Sequence, residues 1–271
     1  MKRFLAASFF AFLPLQALGQ DAPDCAAEWE SVAALAGAFG DGAVAGEDGW
    51  CELATTKTAI LDATLGKAAF RFDQSEEALP NGRSIEVRIA DLQTQFGTYE
   101  GTFALSHQTQ AGAVQLHQFR LRGGDGRGLR ATAFASLPAL KSNARAQNAL
   151  TDLTVNRANV DVFVTPALLG ALQIRFSQIT RRAVDSALRD VSEGQVSGKS
   201  RREFLRFMGA APNARGTLSV AVEMSGDAPL FERIAPFVAL ARAPSDDDIT
   251  SAFDAAFDGV SIDLAWKPGR M

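Results

Sequence analysis

The sequence has few of the residues on which most enzyme and metal chemistry depends. Its 271 residues include only two histidines, His107 and His117, and two cysteines, Cys25 and Cys51. Two histidines alone do not specify a metal site, and the cysteines have neither CxxC spacing nor a histidine nearby, so we predict no metal centre. Both histidines fall on predicted strands ten residues apart, where they could meet across a hairpin.

Signature motifs of catalysis are missing as well. The chain contains neither GxSxG nor HExxH, which leaves a serine hydrolase or a zinc protease without support. Gly198-Lys199-Ser200 matches the end of a phosphate-binding loop, but the glycine required five positions earlier is replaced by Glu193. We instead expect Ser200 to be a helix N-cap, with Glu203 completing a capping box. We therefore predict a non-catalytic protein with no cofactor, and a hydrolase with a dispersed active site is the alternative.

The first residues have the pattern of a secretory signal. Lys2 and Arg3 precede an apolar run over residues 4–18, which is shorter than the ~20 residues that a membrane-spanning helix needs. We predict cleavage after Gly19 and export to the periplasm, with no transmembrane segment in the mature chain. Loss of the two basic residues would change the formal charge from −4 to −6. An oxidising compartment favours a disulfide between the two cysteines, Cys25 and Cys51.

Hydrophobic periodicity predicts an α+β fold. Ile85, Val87 and Ile89 alternate with polar neighbours, as in a half-buried strand, and similar segments continue to residue 137. In the C-terminal half, strands alternate with amphipathic helices in strand-helix-helix units. We expect one large antiparallel sheet with amphipathic helices packed on one face.

The chain divides into a signal peptide over 1–19, a disulfide-pinned N-terminal helix and first strand over 20–58, and an α+β body over 59–271. If this body divides into two domains, we expect the soft boundary between them at residues 138–149. The stretches "LTDLTVNRANVDVFVTPALLGAL" and "GTLSVAVEMSGDAPLF" each place a strand before a helix that starts at proline. In this alternation of strands and amphipathic helices, the chain resembles uncharacterised periplasmic proteins of alphaproteobacteria. That resemblance implies a periplasmic protein and transfers no functional residue.

Basic residues are concentrated in one stretch of an acidic chain. Between Arg175 and Arg215, nine basic residues stand against four acidic ones, whereas the whole chain has a formal charge of −4. Such asymmetry can create a surface for an anionic lipid headgroup or an acidic protein, but it is more typical of a solvated helical face that is balanced by the acidic segments of the same protein. The candidate binding residues are Arg181, Arg182, Lys199, Arg201, Arg202 and Arg206.

These features together predict an exported protein that binds or scaffolds at the cell envelope. An apolar groove between helices and sheet would take a lipid tail, whereas a closed core would leave an interaction module that acts through its charged faces. A pocket at His107 or His117 with a converging carboxylate would instead favour the hydrolase. We predict no nucleic-acid partner, because the arginines around the Gly123–Gly128 hairpin lack interleaved aromatic residues.

Overall fold

The fold is taken from a computed structural model. It describes residues 24–31, 43–53, 56–58, 63–73, 83–94, 97–108, 110–138, 153–170, 181–211, 213–226, 229–230, 232–233, 235 and 257–269. Within these ranges the side chains of residues 29–31, 56–58, 63, 73 and 181 are not described. The predicted signal peptide and residues 139–149 of the predicted soft boundary lie outside the described residues.

Three helices and eleven strands have defined bounds in this part of the chain. Helix α1 (Cys25–Ser31) comes first, as the pattern around the first cysteine predicts. The strands of the N-terminal half are β1 (Ala43–Ala45), β2 (Cys51–Leu53), β3 (Thr56–Thr58), β4 (Ala63–Asp73), β5 (Arg83–Thr94), β6 (Gly97–Gln108), β7 (Ala113–Gly123) and β8 (Gly128–Ser136). The C-terminal half contains β9 (Thr154–Val164), α2 (Arg181–Asp190), α3 (Gly198–Ala210), β10 (Gly216–Met224) and β11 (Val260–Pro268).

The strands form a single antiparallel sheet. Its order is β1-β2-β4-β5-β6-β7-β8-β9-β10-β11, and β3 pairs with β4 outside this path. From β4 onward each strand pairs with the next one in sequence, so the sheet is a meander. Strands β8 and β9 pair directly, so the sheet continues across the predicted soft boundary. The prediction of an α+β protein built on one large antiparallel sheet is confirmed.

Alternating side chains divide the sheet into an apolar and a polar face. In β5, Ile85 and Val87 are buried on one side, and Glu86 and Arg88 occupy the positions between them, which point to the other side. On that other side, Arg71 of β4 forms an ion pair of 2.6 Å with Glu86. We call the side of Ile85 and Val87 the apolar face, and the opposite side the polar face.

The register of the sheet is interrupted in several strand pairs. Five successive strand pairs, from β4-β5 to β8-β9, contain a register shift, and such bulges bend a strand and increase its twist. At Gly101 of β6, a Cβ atom would lie 2.0 Å from the carbonyl oxygen of Arg120. Only glycine permits β7 to approach β6 this closely.

Two buried clusters flank the apolar face. On one side the predicted disulfide between Cys25 and Cys51 is confirmed, with its Cα atoms 5.5 Å apart, and it ties α1 to β2 beside Phe70. On the other side, α2 and α3 form a cluster with Phe257 that packs against β11. Phe207 of α3 lies 5.0 Å, between ring centroids, from Trp266 of β11. We call these the α1 cluster and the α3 cluster.

Helix α3 begins three residues earlier than its sequence predicts. Its N-cap is Ser197, whose Oγ accepts a hydrogen bond of 3.2 Å from the backbone N–H of Ser200. The prediction of Ser200 as the N-cap is therefore wrong, because its own hydroxyl is bonded to Asp263 of β11. Gly198-Lys199-Ser200, the fragment that matches a phosphate loop, is the first turn of this helix.

Candidate functional site

Part of the apolar face is only half-buried, in three rows of residues across β7 to β11. The register defines the rows as Leu116-Ala133-Ala158-Val222-Ile262, Phe119-Ala131-Val160-Val220-Leu264 and Leu121-Leu129-Val162-Leu218-Trp266. Of these fifteen positions only Trp266 is buried, and the other fourteen are half-buried. At a strand spacing of about 4.8 Å, each row extends roughly 19 Å across the sheet. We call these fifteen residues the apolar patch.

Small side chains occupy the middle of the apolar patch. Ala131 and Ala133 on β8 and Ala158 on β9 lie between larger residues on the flanking strands. Phe119 of β7 packs against the α1 cluster, and Leu218 of β10 packs against residues around Trp266 beside α3. The smallest side chains of the apolar patch therefore lie on β8 and β9.

The apolar patch ends at a row of buried residues that includes His107. This row consists of His107, Val114, Ala135 and Val155, which are between 2% and 8% exposed. Burial, with a smaller contribution from the Arg83 guanidinium opposite, lowers the pKa of His107 to about 4. The imidazole is therefore neutral at physiological pH, with one N–H donor and one acceptor nitrogen.

The two histidines do not meet, because His117 bonds to a serine instead. Its Nε2 atom lies 2.8 Å from Oγ of Ser106, whose neighbour His107 faces the other side of β6 by strand alternation. A hydroxyl beside an imidazole is the geometry of an activated nucleophile. Ser106 is 0% exposed, however, so a substrate cannot reach its oxygen without a rearrangement of the sheet. Ser106 and His117 therefore form a structural hydrogen bond within the sheet.

The predicted basic residues divide into two groups with different surroundings. Arg201 is half-buried and donates hydrogen bonds to the carbonyl oxygens of Val191 and Val196, the latter at 3.1 Å. Arg206 donates to the carbonyl oxygen of Trp266 at 2.7 Å. These two guanidinium groups hold α3 in place.

The other group consists of Arg182, Lys199 and Arg202, which are exposed. Lys199 and Arg202 are three residues apart and therefore share one face of α3. The side chain of Arg181 lies outside the described part of the structure. A headgroup contact at this surface would therefore rest on Lys199 and Arg202.

Sequence reasoning missed the main role of α3, which is to cover the free edge of the sheet at β11. The N–H of Leu264 donates to Oγ of Ser200 at 3.0 Å, and the N–H of Trp266 donates to Glu203 at 3.2 Å. Just before the helix, Gln195 accepts a bond of 2.6 Å from the N–H of Ile262. An unpaired edge strand invites pairing with other chains, and these bonds occupy its donors.

A second recess of about 480 Å³ lies at the end of β7 to β10. Its lining residues are Gln115, Phe134, Asn156, Arg157, Glu223 and Met224. The recess is open, and both Arg157 and Glu223 are exposed to solvent. Among the described residues that line it there is neither a histidine nor a hydroxyl nucleophile, and Glu223 is the single carboxylate.

Comparison with known proteins identifies no family. No protein-family model matches the chain, and no curated protein matches it significantly. Among the described residues, no three histidine, cysteine, aspartate or glutamate side chains are grouped as a metal would require. No helix in this described part is both long enough and apolar enough to cross a membrane.

Proposed function

We propose that the protein is an exported, non-catalytic binder of a lipid chain at the cell envelope, and that the apolar patch is its binding groove. The observation that carries this proposal is a contrast in burial along one face. Phe70, Val87 and Phe103 beside the α1 cluster are at most 8% exposed, whereas fourteen of the fifteen residues of the apolar patch are half-buried. A half-buried apolar surface of this extent is typical of a site that another apolar group covers.

The chemistry of the apolar patch favours an acyl chain as the occupant. None of its residues is charged or carries a polar side-chain group other than the Trp266 indole, so a hydrocarbon chain requires no charge to be desolvated. Each buried methylene contributes about 0.8 kcal/mol. Eight methylenes would therefore contribute roughly 6 kcal/mol before the entropic cost of association.

The location at the envelope is part of the same proposal. The Cys25–Cys51 disulfide suits an oxidising compartment, as does the predicted leader. We also propose that the amphipathic helices gather over the apolar face, since Phe207 of α3 packs against Trp266 there. N-terminal sequencing of protein recovered from the periplasm should begin at Gln20. An intact Met1 on protein from the cytosol would contradict export.

The binding groove is tested by filling it. Ala131→Trp places an indole in the middle of the apolar patch and should weaken binding of the probe 1-N-phenylnaphthylamine at least tenfold, as followed by its fluorescence. Thr132→Trp is the matched control, because the adjacent side chain is exposed on the polar face and should leave probe binding unchanged. Native mass spectrometry of the protein from its own cells should also find a retained lipid.

Two results would refute the binding groove. If the wild-type protein neither binds the probe nor retains a lipid, then segments of the chain itself cover the apolar patch. If Ala131→Trp and Thr132→Trp bind the probe equally well, then the probe binds elsewhere.

A second candidate function is contact with an anionic headgroup, which the exposure of Lys199 and Arg202 on α3 favours. The double variant Lys199→Glu/Arg202→Glu should lose co-sedimentation with vesicles that contain 30% phosphatidylglycerol. Arg122→Glu/Arg130→Glu makes the same change in net charge at exposed positions on β7 and β8. If both variants lose binding equally, the contact depends on net charge and not on α3. Arg201 is unsuitable for this test because it bonds to backbone carbonyls.

A further inference from the structure

The end of the apolar patch contains a polar group that nothing in the described part of the chain satisfies. Both ring nitrogens of His107 are buried and have no hydrogen-bond partner there. The only other atom of this kind among the described residues is Nε of Arg233. Buried polar atoms are nearly always paired, since an unpaired one costs stability. His107 therefore has a hydrogen-bonding capacity that the described part of the chain does not use.

His107 lies where the acyl chain of a ligand bound on the apolar patch would end. Leu105 precedes it by two residues on the same face of β6, and Leu105 is paired with Leu116, the first residue of the outermost row of the apolar patch. Beyond that row the face is closed by Val114 and Ala135, which are buried. An amphiphile whose chain lies on the apolar patch thus has its end group beside this row. Because His107 is only 2% exposed, the end group reaches its ring nitrogens when the side chains that cover this row move apart.

The charge around His107 favours an uncharged end group. The ring is neutral, because burial lowers its pKa to about 4. Arg83 lies opposite in β5, but its guanidinium forms an ion pair with Glu28 and covers the ring of Phe72 at 3.8 Å from the centroid. An anion at this position would have to compete with Glu28 for the guanidinium, whereas an uncharged hydroxyl would match the ring's single donor and single acceptor.

We propose that the ligand of the apolar patch is an uncharged amphiphile with a free hydroxyl group, and that His107 forms a hydrogen bond with that hydroxyl. This inference rests on the proposed function and adds to it the chemical class of the ligand. A hydroxyl both donates and accepts, so one group can satisfy either nitrogen of the imidazole in either tautomer.

The test uses competition between two ligands of nearly equal length. Decan-1-ol and decyl methyl ether are titrated against bound 1-N-phenylnaphthylamine, with the full-length protein and with His107→Leu. The wild-type protein should bind the alcohol about five- to tenfold more tightly than the ether, the factor expected for one buried hydrogen bond. The ether oxygen can accept a hydrogen bond but cannot donate one, whereas the alcohol can do both. His107→Leu should therefore abolish this preference and weaken binding of the alcohol more than binding of the ether.

The outcomes separate this inference from the proposed function. If neither compound displaces the probe and no probe binds, the groove itself is refuted. If both compounds displace the probe with no preference, or if His107→Leu keeps the preference, the groove stands and the role of His107 is overturned. Thermal unfolding of His107→Leu checks that the variant is folded, and His107→Gln, which keeps a donor and an acceptor, should retain part of the preference.

Discussion

Replacing Ser200 by alanine tests whether α3 covers the sheet edge as described. The Ser200 hydroxyl is 0% exposed, donates to Asp263 at 2.8 Å and accepts from the N–H of Leu264 at 3.0 Å. Losing the hydrogen bonds to Asp263 and to Oγ of Ser197, which lies 2.9 Å away, costs about 2 kcal/mol, and leaving the Leu264 N–H without an acceptor adds roughly 1–2 kcal/mol. The higher helix propensity of alanine returns about 0.5 kcal/mol. We therefore expect Ser200→Ala to lower the free energy of unfolding by about 3 kcal/mol.

Urea denaturation followed by circular dichroism measures this loss. At an m-value of about 3 kcal/mol/M, the midpoint should fall by about 1 M. Lys199→Ala is the control, because this neighbouring side chain is exposed and its removal should change stability by less than about 0.5 kcal/mol. Ser197→Ala removes the helix cap and the hydrogen bond of 2.9 Å to Oγ of Ser200, and should cost about 1–2 kcal/mol.

The partner of Ser200 can be identified with a double-mutant cycle. Asp263→Ala combined with Ser200→Ala should cost less than the sum of the two single changes, since both remove the same hydrogen bond. If Ser200→Ala is as stable as Lys199→Ala, the hydroxyl does not support β11 and our account of the sheet edge is incorrect.

Three further changes test the close approach of β6 and β7, the disulfide and the buried histidine. Gly101→Ala should destabilise the fold by roughly 1–3 kcal/mol in urea, since its Cβ would lie 2.0 Å from the carbonyl oxygen of Arg120; a neutral effect would contradict the close approach of β6 and β7. Cys25→Ser/Cys51→Ser should cost about 3 kcal/mol and make thermal unfolding insensitive to reductant. Because the pKa of His107 is lowered from 6.5 to about 4, the unfolded chain binds the proton first, and stability should fall by up to about 3 kcal/mol as pH drops between these values. His107→Leu should flatten this part of the pH profile in thermal unfolding, and an unchanged slope would contradict the assignment.

Much of the sheet could be predicted because strand alternation is a local property. Ile85 and Val87 face one side and Glu86 the other, which follows from a period of two alone. The hairpin at Gly123–Gly128 is equally local, since its glycines allow the turn that joins β7 to β8. The cysteine pair was predictable from the number of cysteines and the predicted export, without knowledge of geometry.

The roles of the polar residues on α3 could not be predicted in the same way. Serine followed by glutamate three residues later is the pattern of a capping box, yet Ser200 and Glu203 both bond to β11, more than 60 residues away in sequence. The basic residues presented a similar difficulty, because charge composition does not distinguish the backbone-bonded Arg201 from the exposed Arg202. The partner of a side chain depends on which distant segment packs beside it.

The sequence alone determined that the chain forms strands with one apolar and one polar side, and that Cys25 and Cys51 can pair. Only the tertiary structure decided that the apolar face is buried near its two clusters and half-buried between them, and that His107 lies in a buried row at one end of the apolar patch. The physical reason is that alternation arises from bonds between adjacent residues, whereas burial depends on segments brought together across the whole sheet.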